Sequence, residues 1–194
     1  KYRLSLVGAP TTLADITKRE LTLQGLKANN KTYDALTTAT LDTLTAVLIG
    51  VLTPDEVFPL FANAQANFLQ AGAGTAIPVT VSGIVPGGAQ SENYKITMPE
   101  DLQADILRAS LLVIADNQQK IYDAAVFSPF TITYQGFAQG EDKSVLSGEI
   151  SIGQSVTEAK NTGTYTINIS NSNLSSPNYL ISYQNGTLTI DPRP

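Results

Sequence analysis

The strongest constraint on this chain is that it nearly repeats itself. Lys31-Thr32-Tyr33-Asp34-Ala35 recurs as Lys120-Ile121-Tyr122-Asp123-Ala124, 89 residues later, and Ala14-Asp15-Ile16 recurs as Ala104-Asp105-Ile106, 90 residues later. Gly50 to Glu56 and Gly136 to Asp142 share a pattern of glycine, apolar residues, turn and acidic pair at an offset of 86. A third element occurs three times, as Lys1 to Leu6, Asn93 to Met98 and Asn178 to Tyr183. Anchors that keep their order and nearly their spacing mark an internal duplication. The 194 residues then parse as an incoming strand pair of an upstream repeat (1–17), one full repeat (18–107) and a second full repeat (108–194). Each full repeat has roughly 90 residues, the size of one small domain.

Within a repeat the hydrophobic period is two. Leu21-Thr22-Leu23, Val79-Thr80-Val81, Tyr165 to Ile169 and Leu188-Thr189-Ile190 alternate large apolar with polar residues, as strands with one face on a core do. Thr, Ser, Asn and Gly dominate the polar positions, which suits strands and turns better than helix surfaces. The expected fold is all-β, two tandem antiparallel β domains. Each is sandwich-like by default, or β-grasp-like with one short helix over 57–70. Asn185-Gly186, between Tyr179 to Tyr183 and Thr187 to Ile190, predicts a tight hairpin with a type I′ turn. The junction from Leu102 to Val113 contains no Gly or Pro, so a flexible linker is not expected there. Its 12 residues at about 3.3 Å each extend ~40 Å, which predicts a stiff, elongated rod.

Composition removes most catalytic chemistry. There is no cysteine, histidine or tryptophan, hence no thiol nucleophile, imidazole base or Cys/His zinc site. The charge of -5, from 17 acidic and 12 basic residues without long runs, argues against nucleic acid as a partner. The apolar stretch Leu44 to Leu52 is too short to span a bilayer. The opening Lys1-Tyr2-Arg3-Leu4 does not read as a leader, and the chain is expected to be an internal piece of something larger. No enzyme activity, cofactor or metal is expected.

The recurring residues weigh toward structure. Tyr33 and Tyr122, each followed by Asp34 or Asp123, have the composition of a sugar-stacking platform, yet a recurring aromatic more often fills a core while its hydroxyl satisfies a backbone group. Tyr2, Tyr94 and Tyr179 are read the same way. Asp55-Glu56 and Glu141-Asp142 lack the Asp-x-Asp-x-Asp-Gly loop of a calcium site and are assigned to solvated turns. Gly72-Ala73-Gly74 and Gly83 to Gly88 lack the trailing Lys-Ser/Thr of a phosphate loop and are also read as turns. Lys31 and Lys120 are candidates, by position only, for a Lys-Asn crosslink.

These residues resemble the YDG and MBG repeats of very large bacterial surface and secreted adhesins, including filamentous-haemagglutinin-like exoproteins. Lys31 to Ala35 is similar to a KTYDG signature with Ala35 in place of glycine. Gly72-Ala73-Gly74-Thr75, Val79 to Gly83 and Asn93-Tyr94 resemble the elements that follow it. In the second repeat, Lys120 to Asp123, Tyr134 to Phe137, Gly163-Thr164-Tyr165, Asn178-Tyr179 and Asn185-Gly186 through Ile190 resemble the MBG type, with Asp123 where glycine is common. The resemblance implies a structural signature at Tyr33, Asp34, Tyr122, Asp123, Asn93, Tyr94, Asn178, Tyr179, Asn185 and Gly186. It also implies an extracellular or cell-surface location and a non-enzymatic stalk role in cell adhesion and biofilm, with neighbouring repeats as partners. The alternative is a module that binds a glycan or a host or matrix protein through Phe58, Phe61, Phe130 or Tyr134.

Overall fold

The structure, a computed structural model, describes residues 15–194. The strand pair expected over 1–17, with its Tyr2 copy of the third element, lies outside the described residues except for its last three, which have no regular structure. The described chain is all-β in two tandem domains with one short α-helix.

The first domain carries β1 (Arg19–Gln24), β2 (Lys27–Ala28), β3 (Lys31–Thr32), β4 (Leu41–Asp42), β5 (Val47–Ile49), β6 (Phe58–Leu60), β7 (Gln65–Phe68), β8 (Gly74–Ser82), β9 (Val85–Gly87), β10 (Tyr94–Thr97) and β11 (Gln103–Leu107). The second carries β12 (Ala109–Ala115), β13 (Gln118–Ile121), β14 (Ile132–Gln135), α1 (Gln154–Thr157), β15 (Gly163–Ile167), β16 (Tyr179–Gln184) and β17 (Gly186–Asp191). Only Arg108 separates β11 from β12. By packing, the residues group into two compact units. One is the chain up to Leu26 with Asp42–Gln65 and Val81–Pro99; the other is Lys27–Leu41, Ala66–Thr80 and Glu100–Pro194.

In the first unit, alternation builds β1: Leu21 and Leu23 are buried, while Glu20, Thr22 and Gln24 face solvent. Among the described residues, β1 is the middle strand of three. It runs parallel to β10, with Arg19 opposite Tyr94, and antiparallel to β5, with Thr22 opposite Ile49. β6 and β9 form a separate two-stranded ribbon with Pro59 opposite Pro86. A proline on each strand is tolerable in so short a ribbon, where few ladder bonds are lost.

In the second unit, β11 runs parallel to β3 and antiparallel to β8, and β7 completes the sheet. Phe68, Ile77, Val79 and Ile106 are buried on it. The second domain lies wholly in this unit and is organised by one register. β12 pairs with β16 in parallel from Ala109 opposite Tyr179, and β13 pairs with β17 in parallel from Gln118 opposite Leu188. Both pairings join residues 70 apart, as does the bond from the Thr187 amide to Asn117 Oδ1. The first and last runs of the domain therefore lie side by side along their whole length, bent at Asn117 and Asn185. β14 flanks β12 and β15 flanks β17, both antiparallel. Val113, Val156, Ile167, Ile169, Leu188 and Ile190 form the buried core beneath them.

Three expectations are corrected. The sheets are mixed rather than purely antiparallel, because each domain pairs its early strands in parallel with its late ones. The strand order of the second domain is β-grasp-like, yet its helix is α1 at 154–157, whose Val156 seals the core; residues 57–70 carry β6 and β7 instead. Finally, Asn185-Gly186 is not a hairpin turn. β16 and β17 sit in different sheets and do not pair with each other. Gly186 stays out of the left-handed region; it is glycine because a Cβ there would stand 2.3 Å from the Ala115 carbonyl oxygen. Asn185 Oδ1 accepts from the Ile169 amide at 3.0 Å. An Asn-Gly pair between alternating runs looks locally like a hairpin, but each run finds a longer parallel partner far upstream.

Candidate functional site

The recurring tyrosines are built into the same hydrogen-bonded arrangement twice. In the first compact unit, Tyr94 opens β10 with its ring buried. Its hydroxyl accepts from the Leu52 amide at 3.2 Å and donates to Asp55 Oδ2 at 2.7 Å. That bond to Asp55 raises the phenol pKa against the opposing effect of the Leu52 amide. In the second unit, Tyr179 opens β16, its hydroxyl accepts from the Ala138 amide at 2.8 Å and it donates to Glu141 Oε2. Tyr94 and Tyr179 thus use the same two groups of the same loop, the one that follows Gly50 or Gly136.

At Tyr179 a further residue joins. Tyr33, from the first domain's signature, donates its hydroxyl to Glu141 Oε1 at 2.6 Å, and its ring meets Tyr179 edge to face with centroids 5.4 Å apart. Phe137 meets the Tyr179 ring at 5.5 Å, also edge to face. Asn178 Oδ1 accepts from the Ala73 amide at 2.9 Å, and the Tyr33 amide donates to the Leu107 carbonyl. One carboxylate therefore takes a phenol on each oxygen, inside a cluster of three aromatic rings. Burial first, then the bond to Glu141, pushes the Tyr33 phenol up to about 12. Burial also raises Tyr179, with the Ala138 amide opposing and Glu141 adding.

Tyr33, Tyr94 and Tyr179 are buried, whereas Tyr122 is exposed and Tyr2 lies outside the described residues; the acidic pairs are not wholly in solvated turns. Asp55 and Glu141 are half-buried tyrosine acceptors rather than solvated turn residues, while their neighbours Glu56 and Asp142 are exposed. The missed signal was the joint recurrence of Tyr94 with Asp55 and of Tyr179 with Glu141. Both oxygens of Glu141 are thus engaged by phenols that come from different segments of the unit. Among the described residues, no group of three or more Asp, Glu, His or Cys residues is placed to hold a metal ion.

The aspartates of the signature serve a different purpose. Lys31 Nζ donates to Asp34 Oδ1 at 2.6 Å and to the Leu36 and Thr38 carbonyls, and Asp34 Oδ1 accepts from the Leu36 amide. Lys120 Nζ donates to Asp123 Oδ1 at 2.5 Å and to the Ala125 carbonyl, and Asp123 Oδ1 accepts from the Ala125 amide. Burial raises the Asp34 carboxyl, but the Lys31 ammonium and Leu36 amide outweigh it and leave it below the usual range; Lys120 lowers Asp123. Both ammonium groups are thus engaged by aspartates and carbonyls rather than by the asparagine that a crosslink needs. The clamps close a turn in which Ala35 and Ala124 adopt φ of 65° and 64°.

The remaining candidates scatter. Asn93 ends a 3-10 turn and, among the described residues, has no counterpart to the Asn178 contact. Tyr122, the equivalent of Tyr33, is 36% exposed where Tyr33 is 7% exposed. Of the four residues named for ligand binding, Phe58 is exposed, Phe61 is half-buried, and Phe130 and Tyr134 pack against the second domain's core.

Comparison with known proteins places a YDG domain at residues 17–101 and an MBG domain (YGX type) at residues 111–189. No curated protein and no solved structure matches the chain.

Proposed function

Starting from a chain that joins a YDG domain to an MBG domain of the YGX type, we propose that it is a non-enzymatic structural segment of an extracellular bacterial adhesin, a stalk that holds a binding region away from the cell. The observation that carries this reading is the parallel pairing of early with late strands. In the second domain β12 and β13 lie beside β16 and β17. Tension applied at the two ends of that domain slides one run along the other and loads its rungs together instead of peeling them singly. β1 beside β10 and β3 beside β11 repeat the pairing in the first domain. A module whose task is to carry load gains from this arrangement.

The second reading, a ligand-binding module, draws on Phe58, Leu60 and Val85, which are exposed on the β6–β9 ribbon. The two readings separate on an array of glycans and matrix proteins probed with the full chain. A stalk gives no saturable binding. Saturable binding that Phe58→Ala removes makes the chain a receptor-binding module and overturns the stalk.

A further inference from the structure

Among the described residues, the duplicated tyrosine arrangement has one docked copy and two halves that are not docked. The docked copy is Tyr33 on Glu141 and Tyr179. The first unoccupied half is the Tyr122 face. Tyr122 holds the position of Tyr33, lies within the same Lys-Asp clamp and precedes the same left-handed alanine, yet it lies in an open hollow with Ile121, Asp123, Ala124 and Arg193. Ile121 is 57% exposed beside it. The second is the Tyr94 face. Tyr94 and Asp55 hold the positions of Tyr179 and Glu141 and line an open hollow with Arg19, Leu52 and Glu92. Asp55 Oδ2 takes the Tyr94 phenol as Glu141 Oε2 takes Tyr179, which leaves Asp55 Oδ1 matching the oxygen that Tyr33 occupies on Glu141.

We propose that the Tyr122 face and the Tyr94–Asp55 face are the two halves of one docking surface, and that the occupant of the Tyr122 face is the Tyr94–Asp55 face of a second copy of this chain, joined head to tail. The Tyr122 hydroxyl then donates to Asp55 Oδ1 and its ring meets Tyr94 edge to face, as Tyr33 meets Tyr179. Exposed Leu52 and Ile121 supply apolar area, and Arg193 faces the carboxylates Asp55 and Glu92. Unlike halves make the contact heterologous, so association does not stop at a two-fold dimer. The inference rests on the repeated geometry and is independent of the adhesin reading.

Sedimentation equilibrium of the full chain, from micromolar to millimolar concentration, tests it. The expected result is a weight-average mass that climbs with concentration without levelling at a dimer. Tyr122→Ala alone and Asp55→Ala alone remain monomeric, and an equimolar mixture of the two gives a one-to-one complex and nothing larger, because each variant retains the half the other lacks. Leu52→Lys, at an exposed position, repeats the Asp55 arm if that variant unfolds. A wild-type chain that stays monomeric at millimolar concentration, a Tyr122→Ala chain that associates like wild type, or a mixture that forms no complex overturns the proposal.

Discussion

Tyr33 and Tyr179, from two successive repeats, meet edge to face and share the two oxygens of Glu141. Their union makes the Lys-Thr-Tyr-Asp-Ala signature more than a local turn: its tyrosine is an anchor for the domain that follows. Glu141→Gln leaves one of the two phenols without its acceptor and is expected to lower stability by about 1–3 kcal/mol in urea unfolding. Tyr33→Phe added to Glu141→Gln is expected to cost less than Tyr33→Phe alone, since both act on one bond. Strictly additive losses contradict the shared carboxylate.

The same pair fixes an alkaline limit. The Tyr33 phenol is raised in the folded state from its ordinary 10.0 to about 12. The native state therefore holds a proton that the unfolded chain releases first. Stability from this group is complete below pH 10 and is lost as pH rises to about 12. Unfolding followed against pH is expected to be level for this group up to pH 10 and to fall beyond it, and Tyr33→Phe is expected to flatten part of that fall. In ultraviolet titration the same variant removes a phenolate transition above the ordinary tyrosine range. A Tyr33→Phe protein with an unchanged alkaline limb contradicts the assignment.

What could be read from the sequence divides along a physical line. The period-two alternation of Leu21 and Leu23, or of Leu188 and Ile190, reports one buried face per strand, and the all-β class follows from it. Partner choice is a tertiary matter. The runs around Asn185-Gly186 carry the local pattern of a hairpin, and only the burial available beside residues 109–121 shows that they pair there instead. Glu141 was missed for a related reason: an acidic residue after a glycine looks solvated until the two phenols that reach it from positions 33 and 179 are in place.

Equivalent glycines differ in what surrounds them. Gly50 and Gly136 have φ of 103° and 110°, but a Cβ on Gly50 meets only ordinary contacts, whereas one on Gly136 stands 2.3 Å from the Ser110 carbonyl oxygen. Both alanine substitutions are expected to cost about 1–2 kcal/mol from the backbone, and Gly136→Ala about 1–3 kcal/mol more from overpacking. Denaturant midpoints measured side by side give the comparison; equal losses contradict it.

Ala35 and Ala124 occupy left-handed backbone at φ of 65° and 64°. Replacing either with glycine relieves about 1–2 kcal/mol of strain, partly offset by the freer unfolded chain, about 0.4–1 kcal/mol. Each substitution is expected to raise stability by a net of about 0.5–1 kcal/mol. Calorimetric melting checks it, with an unchanged or lowered midpoint as the contrary result.

The load-bearing reading meets its most direct test in single-molecule pulling of the second domain in two directions. Because the sequence contains no cysteine, introduced cysteines place the handles without ambiguity. Arg108→Cys with Arg193→Cys pulls the parallel runs along one another, whereas Asn161→Cys with Arg193→Cys opens the antiparallel β15–β17 pair from its Gly163–Ile190 end, one rung at a time. Forced rupture reports the unfolding barrier along the chosen direction. The expected result is a rupture force several-fold higher for the 108–193 handles than for the 161–193 handles; equal forces, or a lower force along the chain's own ends, would contradict a domain built to bear tension.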